Sequence, residues 1–276
     1  MAGGHRLTCD GMARFFSLSR WRGPVVSVVR LDGMIASGSG RLNDQTLAPV
    51  IEAAFRRGKP RAVALAINSP GGSPAQSSLI AARIRRLATE HKVPVHAFVE
   101  DLAASGGYWL ATAADDIWVD ANSIVGSIGV IYAGFGFDGL IERYGVQRRV
   151  HTAGERKSML DPFRPENPEE VARLRDWQAQ IHETFINQVK SRRGPRLHAD
   201  EDLFDGSIRI GARAVSAGLA DGIDHLVPKM KALYGEKLRF IPYGPRRPLL
   251  RRFGLSLMQD ALATAEERAL RARYGA

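Results

Sequence analysis

The sequence runs to 276 residues with 45% hydrophobic composition, long enough to bury one substantial core and to make one or two domains. Its 39 basic residues outnumber 29 acidic ones for a net charge of +10. The excess crowds the ends, at Arg6, Arg14, Arg20 and Arg22 and again at Arg246, Arg247, Arg251 and Arg252, while the middle mixes both signs, so no nucleic-acid partner is expected. The single Cys9 cannot close an internal disulfide, so nothing asks for an oxidising compartment. No stretch approaches the roughly 18 consecutive apolar residues of a spanning helix, and the N-terminus lacks an apolar signal core with a small-residue cleavage site. The sequence therefore predicts neither a membrane span nor a signal peptide, and a cytoplasmic chain or one held peripherally at the inner membrane. Phe15, Phe16, Leu18 and Trp21 among arginines over residues 12–22 resemble a weak interfacial helix, so the basic ends are the expected place of any membrane contact.

In chain order, the β-branched run 25–31 reads as a strand, followed by a helix capped at Asn43 or Asp44 and running to Arg57. Residues 61–67 are the next apolar strand, 77–89 the next helix, 93–99 the third strand and 103–113 a third helix. This alternation predicts an α/β fold with a mainly parallel sheet flanked by helices. Residues 116–119, 128–132 and 146–152 read as further strands, with a helix over 137–144. A long polar helix follows over 168–192, then helices over 211–217 and 225–233, a strand over 237–241, and a Pro- and Arg-rich tail that turns helical over 257–273. There is no internal repeat and no low-complexity tract.

In an open parallel sheet, ligand sites form beyond the carboxyl ends of the strands. Two loops there stand out. After the second strand comes Asn68-Ser69-Pro70-Gly71-Gly72-Ser73-Pro74, whose glycines permit positive φ and close backbone approach. After the third comes Ala103-Ala104-Ser105-Gly106-Gly107-Tyr108, a serine between small residues where a helix begins. Singly, these read as an ordinary turn and an ordinary helix-start serine. Together they set a nucleophile and backbone N–H donors on adjacent strand ends, the geometric need of acyl transfer. The serine requires a base. Of seven histidines only His151, ending the strand read over 146–152, is well placed; of seven lysines only Lys157 follows a strand. Lys157 otherwise reads as a solvated surface lysine, and to act as a base it would have to be neutral. The residues alone leave Lys157 and His151 both open.

The segments Asn68-Ser69-Pro70-Gly71-Gly72, Ala103-Ala104-Ser105-Gly106-Gly107-Tyr108, Val125-Gly126-Ser127-Ile128-Gly129-Val130 and Ala214-Val215-Ser216-Ala217-Gly218-Leu219-Ala220-Asp221 resemble those of the signal peptide peptidase A (protease IV) group, SohB-like members included. The likeness covers roughly residues 25–228. It implies a Clp/crotonase-like fold and a serine endopeptidase acting on small or unfolded peptides, signal-peptide remnants among them. By the resemblance, Ser105 is the nucleophile and Lys157, at the interval usual for single-domain members, is its base. Ser127 would hydrogen-bond the lysine amine, and the backbone N–H groups of Gly72 and Gly106 would form the oxyanion hole. Gly71 would shape the turn, and substrate would add as a strand beside the Gly71 and Gly129 segments. No metal or cofactor is implied. The resemblance also implies a ring-like homo-oligomer in which serine and lysine come from neighbouring chains. The chain then divides into a basic arm (1–23), a peptidase domain (24–242) and a basic helical tail (243–276).

Three other readings are open. A Clp-type peptidase would use Ser105, His151 and an acid such as Asp161. A crotonase-type acyl-CoA enzyme would share the backbone anion site and need no serine nucleophile. A non-catalytic membrane or nucleic-acid adaptor would rest on the basic ends alone.

Overall fold

The computed structural model describes residues 23–38, 40–198 and 202–244, and residues 268, 269, 271, 272 and 274 of the tail. The arm expected over 1–23, with Cys9 and the interfacial segment, lies outside the described residues save for Gly23, as does most of the helix expected over 257–273.

The chain opens on β1 (Val25–Asp32), then α1 (Asp44–Arg56), whose start is fixed by Asn43: its side chain accepts the Thr46 N–H. β2 (Ala62–Ser69), α2 (Pro74–His91) and β3 (Val95–Ala104) continue the alternation, with Ser73 capping α2. There follow α3 (Gly106–Ala111), β4 (Asp116–Val119), β5 (Ile124–Gly126), α4 (Asp138–Arg143) and the 26-residue α5 (Pro168–Arg193). β6 (Ile208–Ile210), α6 (Gly211–Ser216), β7 (Gly222–Ile223), α7 (Leu226–Tyr234) and β8 (Arg239–Tyr243) complete the described body.

The eight strands form one sheet in the order β6-β5-β3-β2-β1-β8, with β4 beside β3 and β7 beyond it. Every pairing among the described residues is parallel except β5 with β6. β2 is buried along almost its whole length, as a central parallel strand covered on both faces must be. One face packs Val29, Leu31, Leu65 and Ile67 against Ile51, Ile84 and Leu110 of the first three helices. The other packs Val26, Ala64 and Phe98 against Met230 of α7.

β3 positions the rest. Its first half pairs β4 and its last three residues pair β5, with a register shift against β2 between Ile67 and Ser69. The third helix accordingly starts at Gly106 rather than at residue 103, because Ala103 and Ala104 remain in the ladder. The strands expected over 128–132 and 146–152 are not formed. Residues 127–165 leave the sheet as an extension, carrying α4, whose Ile131, Tyr132 and Val146 are more than half exposed. Their β-branched pattern has no sheet edge to pair with. β5, β6 and β7 were not foreseen, being too short to show a period.

The last of the four sequence segments has a structural role. The buried Tyr108 hydroxyl donates to the Leu219 carbonyl at 2.8 Å, and burial pushes that phenol's pKa upward. Arg193, only 2% exposed, donates to the Gly218 carbonyl at 2.8 Å and pairs with Asp221 at 2.7 Å. Asp221 also accepts the Ile117 N–H. This cluster ties α3, α5 and β4 together beneath the Ser105 loop. A charge left unpaired there has no water to turn to, so Asp221→Asn should cost about 3 kcal/mol or more. Tyr108→Phe, which strands one carbonyl, should cost about 1–3 kcal/mol. Urea unfolding curves measure both, and a cost well under 1 kcal/mol for Asp221→Asn would show that the pair does not hold the junction.

Candidate active site

Ser105 sits where β3 ends and α3 begins, at φ 51° and ψ −122°. Its N–H is bound to the Gly126 carbonyl of β5 at 2.8 Å. A non-glycine residue at positive φ costs about 1–2 kcal/mol, and such strain persists only where neighbours impose it. The Ser105 side chain caps nothing and has no hydrogen-bond partner among the described residues, so its hydroxyl is uncommitted.

The Gly71-Gly72 loop is sewn to the chain after β1: Ile35 N–H donates to the Gly71 carbonyl at 2.8 Å, and Ser73 N–H to the Ile35 carbonyl at 2.7 Å. Ser69 Oγ, bonded to the Gly33 carbonyl at 2.7 Å, accepts the Gly71 N–H. Gly71 and Gly72 take φ of +95° and +139°. A Cβ at Gly71 would lie 2.7 Å from the Gly106 nitrogen and 2.9 Å from the Ser105 Cβ, so this contact admits only glycine. Neither Gly72 N–H nor Gly106 N–H has an acceptor among the described residues. Both residues line one small cavity, of about 20 Å³, together with Ser105 and Gly129. Its apolar walls are Pro74, Trp109, Val130, Ile181 and Phe185, with Trp109 stacked on Phe185 at 5.0 Å between centroids.

Ser127 follows β5 at φ 50°, its N–H bonded to the Ser207 carbonyl at 2.8 Å. Its hydroxyl meets the Tyr274 hydroxyl at 3.0 Å. Arg271, one turn earlier, pairs with Asp32 at the end of β1 at 3.2 Å, so these tail residues lie over the carboxyl ends of the strands.

Ser105, Gly71, Gly72, Gly106 and Gly129 are thus brought together. Lys157 is not among the residues lining their cavity. It lies in an exposed turn of the extension, its backbone N–H on the Gly154 carbonyl, its amine without a partner among the described residues. His151 is equally exposed. The strand that would have carried both to the sheet's edge does not exist, so neither base candidate is presented to Ser105 by the sheet. Nor are His151 and Asp161 joined: the Asp161 carboxylate accepts from Arg148 at 2.9 Å, which holds its pKa below the usual carboxylate range. A Ser105–His151–Asp161 triad is not assembled within the chain.

One contact was missed by sequence reasoning, which left His182 in a distal helix. Its Nε2 lies 2.9 Å from the carbonyl oxygen of Ile128, between Ser127 and Gly129. The signal was present: Ile181, Phe185 and Val189 recur at helical spacing along α5, marking the face that His182 adjoins.

Comparison with known proteins fits this geometry. A Brucella melitensis protein named Na(+)/H(+) antiporter NhaA is 44% identical over 91% of this chain and 37% of its own length. A putative signal peptide peptidase SppA of Enterococcus faecium is 33% identical over 64% of this chain and 51% of its own. Protease 4 of Haemophilus influenzae is 31% identical over 72% and 32% respectively. The chain therefore spans about half or less of the length of these relatives. The antiporter name describes a protein most of which lies outside the match, and no helix among the described residues here is long and apolar enough to cross a membrane. The solved 1510-N membrane-bound stomatin-specific protease, in complex with a substrate peptide, aligns with a TM-score of 0.52 and 16% identity over 86% of this chain and 99% of its own, which shows the shared Clp/crotonase-like α/β fold. The resemblance to the signal peptide peptidase group is borne out, and since residues 88–234, more than half of the sequence, match Peptidase family S49, the chain belongs to that family.

Proposed function

We propose that this chain is the catalytic unit of a serine endopeptidase that uses a Ser105–Lys157 dyad. The observation that carries the reading is the convergence on one cavity of the Ser105 hydroxyl, on a strained backbone, and two backbone N–H groups, those of Gly72 and Gly106, that have no acceptor among the described residues. Attack by the Ser105 oxygen on a peptide carbonyl moves negative charge onto the carbonyl oxygen. Fixed N–H donors meet that charge without reorganising, which is where such donors accelerate a reaction. Neutral Lys157 takes the hydroxyl proton and passes it to the leaving amine, and water then hydrolyses the acyl-enzyme with the same base. Ser127 orients the amine.

The substrates that suit the site are unfolded peptides, remnants of signal peptides among them. An extended peptide can pair its main chain with the Gly71 and Gly129 segments and set an apolar side chain against Trp109, Ile181 and Phe185.

The dyad also accounts for where Lys157 lies. The extension exposes Ile131, Tyr132, Phe135, Leu140, Tyr144 and Val146, a concentration of apolar surface that soluble chains normally cover. A homo-oligomeric ring in which each extension brings its lysine to a neighbour's serine would cover that surface and complete the site in one step.

Ser105→Ala removes one hydroxyl from a strained turn. Peptide turnover should be lost while the melting temperature holds or rises slightly; a collapse of both together would return Ser105 to a structural role. Lys157→Arg should also be inactive, because guanidinium stays protonated, whereas His151→Gln should retain activity. The opposite pattern in these two variants would replace the dyad by a histidine base.

The shared site has its own test. Inactive Ser105→Ala and Lys157→Ala proteins, refolded together, should regain part of the activity, since some interfaces then pair an intact serine with an intact lysine. Mixed oligomers of verified composition with no turnover would show that each site is built within one chain.

A further inference from the structure

We infer that His182 is a positioning residue for peptide substrate: by holding the Ile128 carbonyl it aims the Gly129 N–H as a main-chain donor beside Ser105. The inference rests on the peptidase reading above and adds to it the device that fixes the substrate-pairing segment.

Because Nε2 lies 2.9 Å from a carbonyl oxygen, which can only accept, Nε2 must carry the proton and donate. The ring is partly buried on α5, one turn before Phe185, which is itself anchored by stacking on Trp109 of the Ser105 helix. Across a trans peptide, C=O and N–H point in opposite directions, and the chain has no cis bonds among the described residues. Holding the Ile128 oxygen toward α5 therefore turns the Gly129 N–H away from α5. That N–H has no acceptor among the described residues, and Gly129 lines the Ser105 cavity.

The Ile128 side chain is anchored in the core, but among the described residues no other hydrogen bond holds this peptide plane. β5 ends at Gly126, and the last main-chain bond before it is Ser127 N–H to the Ser207 carbonyl. Glycine at position 129 leaves φ open to both orientations of the plane, so without the His182 bond the Ile128–Gly129 peptide would be freer to present its carbonyl in place of its N–H. An extended substrate needs the donor, and a carbonyl facing its own carbonyl would repel it.

The test uses the full-length protein, a quenched-fluorescence peptide rich in apolar residues, and a small alkyl fluorophosphonate with no peptide portion. His182→Ala should lower kcat/KM for the peptide by about tenfold, chiefly through KM, the order expected for one lost hydrogen bond. His182→Gln, which can again donate an N–H, should recover most of it. The rate of fluorophosphonate labelling at Ser105 should stay within about twofold in both variants, because that reagent does not use the pairing segment. If His182→Ala does not fold, His182→Leu serves as the variant without a donor. Unchanged peptide kinetics, or labelling that falls in parallel with turnover, would overturn the positioning role. Failure of the wild type to label at Ser105 would instead overturn the peptidase reading, and this inference with it.

Discussion

The contact on which the site depends is the approach of two backbones with no side chain between them. A first side-chain carbon on residue 71 would stand 2.7 Å from the nitrogen of Gly106, closer than any real carbon is found. With glycine there, the loop after β2 can lie against the loop after β3, and the N–H groups of residues 72 and 106 end in one cavity. The sheet alone does not dictate this. Neighbouring strands run about 4.8 Å apart, and loops leaving them ordinarily diverge once side chains intervene.

Holding that contact requires restraint on both sides. On the β2 side, Ser69 ties the loop to Gly33, and Ile35 brackets it with a bond to Gly71 and another from Ser73. On the β3 side, Ser105 is kept at positive φ by its bond to Gly126, while the helix it opens is fixed from beneath by Tyr108 on Leu219. The Arg193–Asp221 pair belongs to the same support. A buried ion pair seldom adds stability over apolar packing, so its value here is geometric: it joins α5 to the junction under Ser105. α5 then reaches over the site through Phe185 on Trp109 and His182 on Ile128, so one helix references both the Ser105 helix and the segment opposite it.

Much of this was legible in the sequence because it is written in local rules. The strand–helix alternation from residue 25 to 119 reads directly from burial period and capping residues, Asn43 among them, and the rule that ligands gather at carboxyl strand ends singles out Gly71, Gly72 and Ser105. What failed were readings that depended on a partner. Residues 146–152 have the β-branched content of a strand, but a strand exists only where another offers it hydrogen bonds, and Val146 stands 56% exposed with its N–H turned back to the Ile141 carbonyl of α4. The placement of His151 and Lys157 at the sheet's edge fell with it. β6, three residues long, went unseen for the converse reason: its pairing with β5, not its own pattern, makes it a strand. His182 was set aside because sequence distance hid that α5 folds back over residues 127–129.

The two halves of the proposed mechanism therefore stand on unequal ground within a single chain. Ser105 and the Gly72 and Gly106 N–H groups are held by the most buried part of the molecule, where parallel strands and three helices leave them little freedom. The lysine stands on an extension that contributes no strand to the sheet and leaves Ile131, Tyr132, Phe135, Leu140, Tyr144 and Val146 exposed. Catalytic groups must be held to within about half an ångström of their productive geometry, and an exposed lysine with no hydrogen-bond partner among the described residues is not so held. Under the proposed reading, the precision missing on that side must come from whatever covers the extension. Ser127 shows where that precision would be applied: its backbone N–H is fixed by the same β5–β6 corner that fixes the Ser105 N–H, and the Tyr274 hydroxyl lies against its side chain. A hydroxyl can donate once and accept twice, so a Ser127 that donates to Tyr274 could still accept from the lysine amine and leave the amine's lone pair directed at Ser105. Tyr274 and the lysine amine can therefore share Ser127 rather than compete for it, provided the tyrosine oxygen is the acceptor.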